Sequence, residues 1–166
     1  MILQFITAFL LFTQGFLSFL FPLSTESNGS EASSRTTEGV VIRVIDGDTI
    51  DVREADGKIA RIRYIGINTP ELRPSPECGA ASSTARNREL VADKTVTLIS
   101  GPGVSDQYGR GLAYVYVGNT FVNQTLIAEG WASLMMIPPN TAYQSTFEIL
   151  ETVARSNKQG IWNCPE

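Results

Sequence analysis

Residues 40–67 read VVIRVIDGDTIDVREADGKIARIRYIGI. Val40, Ile42 and Val44 alternate with Val41, Arg43 and Ile45, and Asp46-Gly47 then supplies a turn into Ile50 and Val52, a pattern that predicts a hairpin. Asp56-Gly57 is a second turn signal, and Ile59 to Ile67 is rich enough in β-branched residues to be a third strand. Three consecutive strands make a meander. Downstream, the pattern predicts a helix over 80–91, strands over 95–99 and 112–117, and a helix over 122–129 stopped by Gly130. A last helix places Tyr143, Phe147, Leu150 and Ala154 on one face and ends before Gly160. Five short strands, with a helix inserted after the third and helices at the end, fit a small closed barrel better than a layered α/β sheet. The class is α+β, mainly β. There is no internal repeat.

The chain has 166 residues, 43% of them hydrophobic and 18% charged, which suits one folded domain with an N-terminal extension. Residues 1–23 hold an uncharged, Leu-, Ile- and Phe-rich run, read as a signal peptide or an N-terminal membrane anchor. Residues 24–38 (STESNGSEASSRTTE) carry almost no apolar side chain and are expected to be a flexible tether, leaving 39–166 as the domain. The net charge of −4 is the wrong sign for general attraction to polyphosphate, so any contact with nucleic acid has to be local. Histidine is absent, which removes histidine bases and most zinc sites and leaves carboxylates, Arg, Lys, Tyr and hydroxyls for chemistry.

Four places carry such groups. Asp46-Gly47-Asp48 sets two carboxylates on a turn that could face a hard cation, with Asp48 in phase with Ile50 and Val52. Arg63 shares strand parity with Ile59, Ile65 and Ile67, and a guanidinium among apolar positions needs a carboxylate or a phosphate. Asn68-Thr69-Pro70-Glu71 leaves the third strand through a proline that fixes where Glu71 stands. Asp106-Gln107-Tyr108-Gly109-Arg110-Gly111 places an arginine between glycines, with room for an anion. Taken singly, each has a plain structural reading: solvated turn acids, an ion pair, surface charge.

Two cysteines, Cys78 and Cys164, form an even pair that export would favour as a disulfide over two free thiols. Asn28-Gly29-Ser30 and Asn123-Gln124-Thr125 match the glycosylation acceptor pattern, which matters only in a eukaryotic secretory route.

In their order and separation, IDGDT at 45–49, IRYIGINTPE at 62–71 and DQYGRGLAYVY at 106–116 resemble the staphylococcal nuclease family. The similarity runs from Val40 to Trp162 and takes in Gly130 to Ala132 and the terminal Gly160-Ile161-Trp162. The resemblance implies a five-stranded OB barrel with about three helices, in agreement with the elements read above. It also implies a monomer that hydrolyses DNA or RNA with calcium. Arg63 and Arg110 would grip the scissile phosphate, and Glu71 would position or deprotonate the attacking water. Asp48, Asn68 and the Thr69 carbonyl would hold Ca2+, and Tyr108 matches a family tyrosine near the phosphate.

Three departures stand out. Asn68 takes the place of the family's usual Asp, which keeps an oxygen ligand and removes a charge. Leu134-Met135-Met136-Ile137-Pro138-Pro139 runs where the best-studied member has two nucleotide-contacting tyrosines, and Gln107 replaces a lysine. Fewer basic contacts imply weaker or more salt-sensitive substrate binding. The rival reading is an OB barrel that binds nucleic acid or protein without cutting.

Overall fold

The computed structural model describes residues 35–165. The signal or anchor expected over 1–23, most of the tether and Asn28 lie outside the described residues. Among the described residues no helix is long and apolar enough to cross a membrane.

The elements follow in the order β1 (Thr36–Val44), β2 (Thr49–Glu54), β3 (Ile59–Tyr64), β4 (Gly66–Asn68), α1 (Ala80–Val91), β5 (Thr95–Ile99), β6 (Gly111–Val117), β7 (Thr120–Phe121), α2 (Val122–Ala128), β8 (Ser133–Met135) and α3 (Gln144–Ser156), then a 3-10 turn over Gly160–Asn163. β1 begins ahead of Gly39 because Thr36 to Val40 pair with Thr95 to Ile99 of β5. Strands run in the order β3-β2-β1-β5-β6, and β6 returns to pair parallel with β3. The result is a closed five-stranded mixed barrel with three helices, the OB-type architecture expected. Closure removes the open strand edges that would otherwise invite further pairing.

Alternation along the meander fills the barrel. Val41, Ile50, Val52, Ile62 and Tyr64 point inward and meet Val96, Leu98 and Val115 from the far wall, with Leu126, Ile127 and Phe147 of α2 and α3 closing the end. Burying each large aliphatic or aromatic side chain contributes about 1.5–3 kcal/mol. Asn123 is fully buried in α2, where its Nδ2 donates to the Ile65 carbonyl and its Oδ1 accepts from the Val115 amide. That position therefore serves the fold and is not open to a glycan.

The expected third strand is two strands. Gly66, the first residue of β4, adopts φ +82°, with Met136 and Phe147 packed so closely that a Cβ would lie 2.8–3.0 Å from them. The alternation already slips ahead of the glycine: Ile62, Tyr64 and the very next residue, Ile65, are all buried, and Ile67 follows beyond Gly66. Arg63 is thus not on the face of Ile65 and Ile67. It shares the barrel's outer face with Arg61 and with Ile59, which is 60% exposed. The redirected β4 pairs with β8 through Gly66–Met135, Ile67–Leu134 and Asn68–Ser133.

Cys78, just ahead of α1, is disulfide-bonded to Cys164 behind the final turn, across 86 residues of sequence. Closing a loop of that length contributes about 4 kcal/mol in the chain-entropy account. The bond also fastens the end of the segment that leads from Glu71 to α1.

Candidate active site

The Asp46-Gly47-Asp48 turn sits against the start of the Thr69 loop. A Cβ on Gly47 would fall 2.7 Å from the Thr69 side chain, so only glycine allows this approach. Asp46 Oδ1 accepts the Asp48 amide, and the Asp46 carbonyl is held by Asn87 Nδ2, whose own Oδ1 accepts from the Tyr64 hydroxyl. The core thereby aims the turn.

Asp48 is buried. Its Oδ2 accepts from the Thr69 amide at 2.7 Å and the Thr69 hydroxyl at 3.0 Å, and its Oδ1 from the Thr49 hydroxyl at 3.1 Å. Arg63 Nη1 lies 2.6 Å from the same Oδ2, with side chains only 12% and 5% exposed. Arg63 Nη2 donates to Asn68 Oδ1 at 2.8 Å, and the Asn68 carbonyl accepts from the Ser133 hydroxyl across the β4–β8 pair. Despite its closeness to Asp48, Nη1 makes no hydrogen bond of acceptable angle, so a buried donor is left for another acceptor. Burial pushes the Asp48 carboxyl up to about 6 from an ordinary 3.8, against the pull of the Arg63 charge and the Thr69 hydrogen bonds and with Asp46 adding to the rise.

Arg110 is set by the turn before it. Asp106 Oδ1 accepts the Tyr108 and Arg110 amides, and Asp106 Oδ2 takes Arg110 Nε at 2.6 Å. Burial would raise the Asp106 carboxyl, but these bonds and the Arg110 charge together hold it below its usual value. The Tyr108 ring is 75% exposed and lies 5.4 Å from the Arg110 guanidinium carbon.

Glu71 is exposed, and its backbone is clasped: its amide donates to Glu77 Oε2 at 2.8 Å, and its carbonyl accepts the Glu77 amide at 2.9 Å. The residue after Glu77 is the disulfide-bonded Cys78.

One cleft of about 520 Å³ gathers these groups. Arg63, Asn68, Glu71, Tyr108 and Arg110 line it, with an apolar lip of Met135, Ile137, Pro138 and Pro139. Asp48 and Thr69 stand behind the lining, joined to it through Arg63 and Asn68. All the residues singled out in the sequence for catalysis and metal binding therefore meet at one place. Chemically, the arrangement offers two guanidiniums to an oxyanion and one exposed carboxylate to a proton.

Asp48, Asn68 and Thr69 suit a hard cation in kind, since all offer oxygen. Asp48 Oδ2 and Asn68 Oδ1 also converge on a single positive group, the Arg63 guanidinium. Among the described residues no three acidic, histidine or cysteine side chains converge; Asp48 is the one carboxylate of the three expected ligands.

Three contributors were not assigned from sequence. Asp106 orients Arg110, and an Asp three residues ahead of the turn glycine was its available signal. Glu77 clasps Glu71 with no local signal at all. Arg61, with Asp51 and Arg43, makes a second arginine cluster on the same outer face, visible only once strand register is known.

A family profile described as staphylococcal nuclease homologue matches residues 61–164. The chain is 39% identical over 138 residues to a thermonuclease of Staphylococcus hyicus, covering 81% of this chain and 79% of that protein. It is 36% identical over 137 residues to a thermonuclease of Staphylococcus intermedius, covering 80% of each. It is 40% identical over 126 residues to endonuclease YncB of Bacillus subtilis (strain 168), covering 73% of this chain and 59% of that longer protein.

Proposed function

The chain belongs to the staphylococcal nuclease family, and on that footing we propose that it is a calcium-dependent nuclease, acting outside the cytoplasm as a monomer, that hydrolyses phosphodiester bonds of DNA, with RNA as a second candidate substrate. The observation that carries the reading is the single cleft shared by Arg63, Glu71 and Arg110.

Arg63 and Arg110 present planar, multi-donor groups to a phosphate in the cleft, and their hydrogen bonds strengthen as negative charge builds on the phosphoryl oxygens. Arg110 keeps its Nε on Asp106, so its terminal nitrogens are the ones aimed at substrate. Arg63 keeps its Nη2 on Asn68 Oδ1, and its Nη1, which makes no hydrogen bond, is the donor left for the phosphate. The Glu71 carboxylate takes a proton from the attacking water, on a backbone that Glu77 holds in place. Asp48, Asn68 and the Thr69 carbonyl are the residues that would hold Ca2+, which would supply charge stabilisation at the phosphoryl group. The apolar Met135 and Ile137 lip gives bases a surface to lie on, without the aromatic stacking two tyrosines would offer.

Export is supported by the uncharged, apolar run within residues 1–23 and by the Cys78–Cys164 disulfide, which suits an oxidising compartment. A cleaved signal and a retained anchor both fit that composition.

The test is degradation of single- and double-stranded DNA by the full chain, with calcium and with a chelator, beside Glu71→Gln. Loss of a general base is expected to lower kcat about 10²–10⁴-fold. Intact DNA at millimolar calcium from a folded protein would move the reading to a nucleic-acid-binding barrel without catalysis.

A further inference from the structure

Next to the cleft lies a second depression of about 360 Å³, floored by Asp51 and Arg61 and walled by Ile59, Tyr108, Gly109 and Arg110. Tyr108 and Arg110 line both hollows, so the Tyr108-Gly109-Arg110 turn is the ridge between them. Asp51 holds two guanidiniums: Arg61 through Nε at 2.8 Å and Nη2 at 3.2 Å, and Arg43 through Nε at 2.9 Å and Nη2 at 2.7 Å. The carboxylate is nearly covered, with 7% of its side chain exposed, whereas Arg43 and Arg61 stand 60% and 47% exposed. The cluster has two positive charges on one negative, and the remaining guanidinium N–H groups face solvent. A structural ion pair needs one arginine; the second leaves a surplus positive charge.

Register explains the placement. Thr49 pairs with Arg63 and Asp51 with Arg61, so Arg61 stands one outward step along β3 from Arg63, a distance of about 6.6 Å at the usual strand rise. In a chain of net charge −4, two exposed guanidiniums thus stand beside the cleft on one shared carboxylate, with Asp46 the further acid near enough to act on Arg61.

We propose that the Arg43–Asp51–Arg61 cluster is a second phosphate subsite, which takes a backbone phosphate of the nucleic-acid strand one or more nucleotides beyond the scissile bond. The strand's direction, over the Tyr108 ridge from the cleft, rests on the nuclease reading. The buried Asp51 pre-orients both guanidiniums, so binding a phosphate costs little side-chain freedom. Phosphate contacts of this kind position a strand without reading its sequence.

The test is fluorescence anisotropy of a labelled dithymidylate and of a long oligothymidylate bound to the full chain in chelator, over a range of salt. Arg61→Gln is expected to lower the slope of log affinity against log salt for the long strand by about 0.7, one single-strand phosphate contact, and to leave the dithymidylate unaffected. Arg61→Lys, which keeps the charge, is expected to retain the slope. Arg43→Gln, which leaves Arg61 on Asp51, gives the same reading should Arg61→Gln fail to fold. Unchanged slopes for the long strand in the folded glutamine variants would make the cluster an ion pair only and overturn the proposal. Cleavage by the unaltered chain with calcium is scored separately: its absence with the slope loss intact would end the nuclease reading and leave the subsite standing.

Discussion

Two aspartate–arginine clusters lie side by side on the β2–β3 hairpin, and they titrate in opposite directions. At Asp48 both partners are covered, and burial pushes the carboxyl up to about 6 in spite of Arg63. At Asp51 the carboxylate is screened from solvent but lies much shallower, and hydrogen bonds from Arg61, and then from Arg43, outweigh burial and hold it below its ordinary 3.8. The difference lies first in the depth of the carboxylate and then in the guanidiniums. Those on Asp51 keep much of their hydration, and Arg61 delivers an aligned pair of donors where Arg43 delivers an aligned Nε. Arg63 is itself desolvated and meets Asp48 at a poor angle. The same two residue types therefore make a settled pair in one place and an unsettled one in the other, and the unsettled pair faces the cleft.

The comparison can be broken or sharpened by substitution. The largest effect is expected from Arg63→Lys, which keeps a charge beside Asp48 but loses the planar fork: single-turnover cleavage should slow about 10²–10³-fold with the fold intact. Next, Asp48→Asn should stabilise the metal-free chain while removing activity. A carboxyl whose folded pKa is raised costs stability where it is ionised, so the gain should be on the order of 2–3 kcal/mol well above pH 6 and vanish below 3.8. Urea titrations in chelator at both pH values measure it. Asp51→Asn should do the reverse and lose about 1 kcal/mol, the guanidiniums being screened by solvent. Because the folded pKa of Asp51 is depressed, its contribution is fully present above the ordinary 3.8 and disappears as pH falls through the folded value. Stability changes of the same sign for Asp48→Asn and Asp51→Asn would dissolve the distinction.

The barrel was legible because its strands alternate at a period of two and its turns carry Asp-Gly pairs, and α1 spans the residues that the helical pattern marks. The residue types of the site were legible through their order along the chain. What escaped depends on long-range contact. Gly66 is the one local hint beside Ile65 that the strand breaks, but what makes glycine necessary there is the packing of Met136 and Phe147, which lie far along the chain. β8 is three residues whose partner lies over sixty residues away. Glu77 is an ordinary surface acid until the loop folds back on Glu71. Arg61 and Asp51 look like routine exposed charges until register sets them on one rung.

Gly66 bears on how such a chain can drift over evolutionary time. Arg63 faces outward, Tyr64 and Ile65 are buried in succession, and Asn68 and Thr69 reach Arg63 and Asp48 after that slip in the alternation and the left-handed Gly66 that follows it. Many side chains along 59–67 can be exchanged for others of like character without disturbing that arrangement. A single inserted or deleted residue between Arg63 and Asn68 would turn every later side chain to the opposite face. Across this stretch, length should be held far more tightly than composition, and a homologue that keeps Arg, Asn and Glu but changes their spacing should be expected to fold and not to cut.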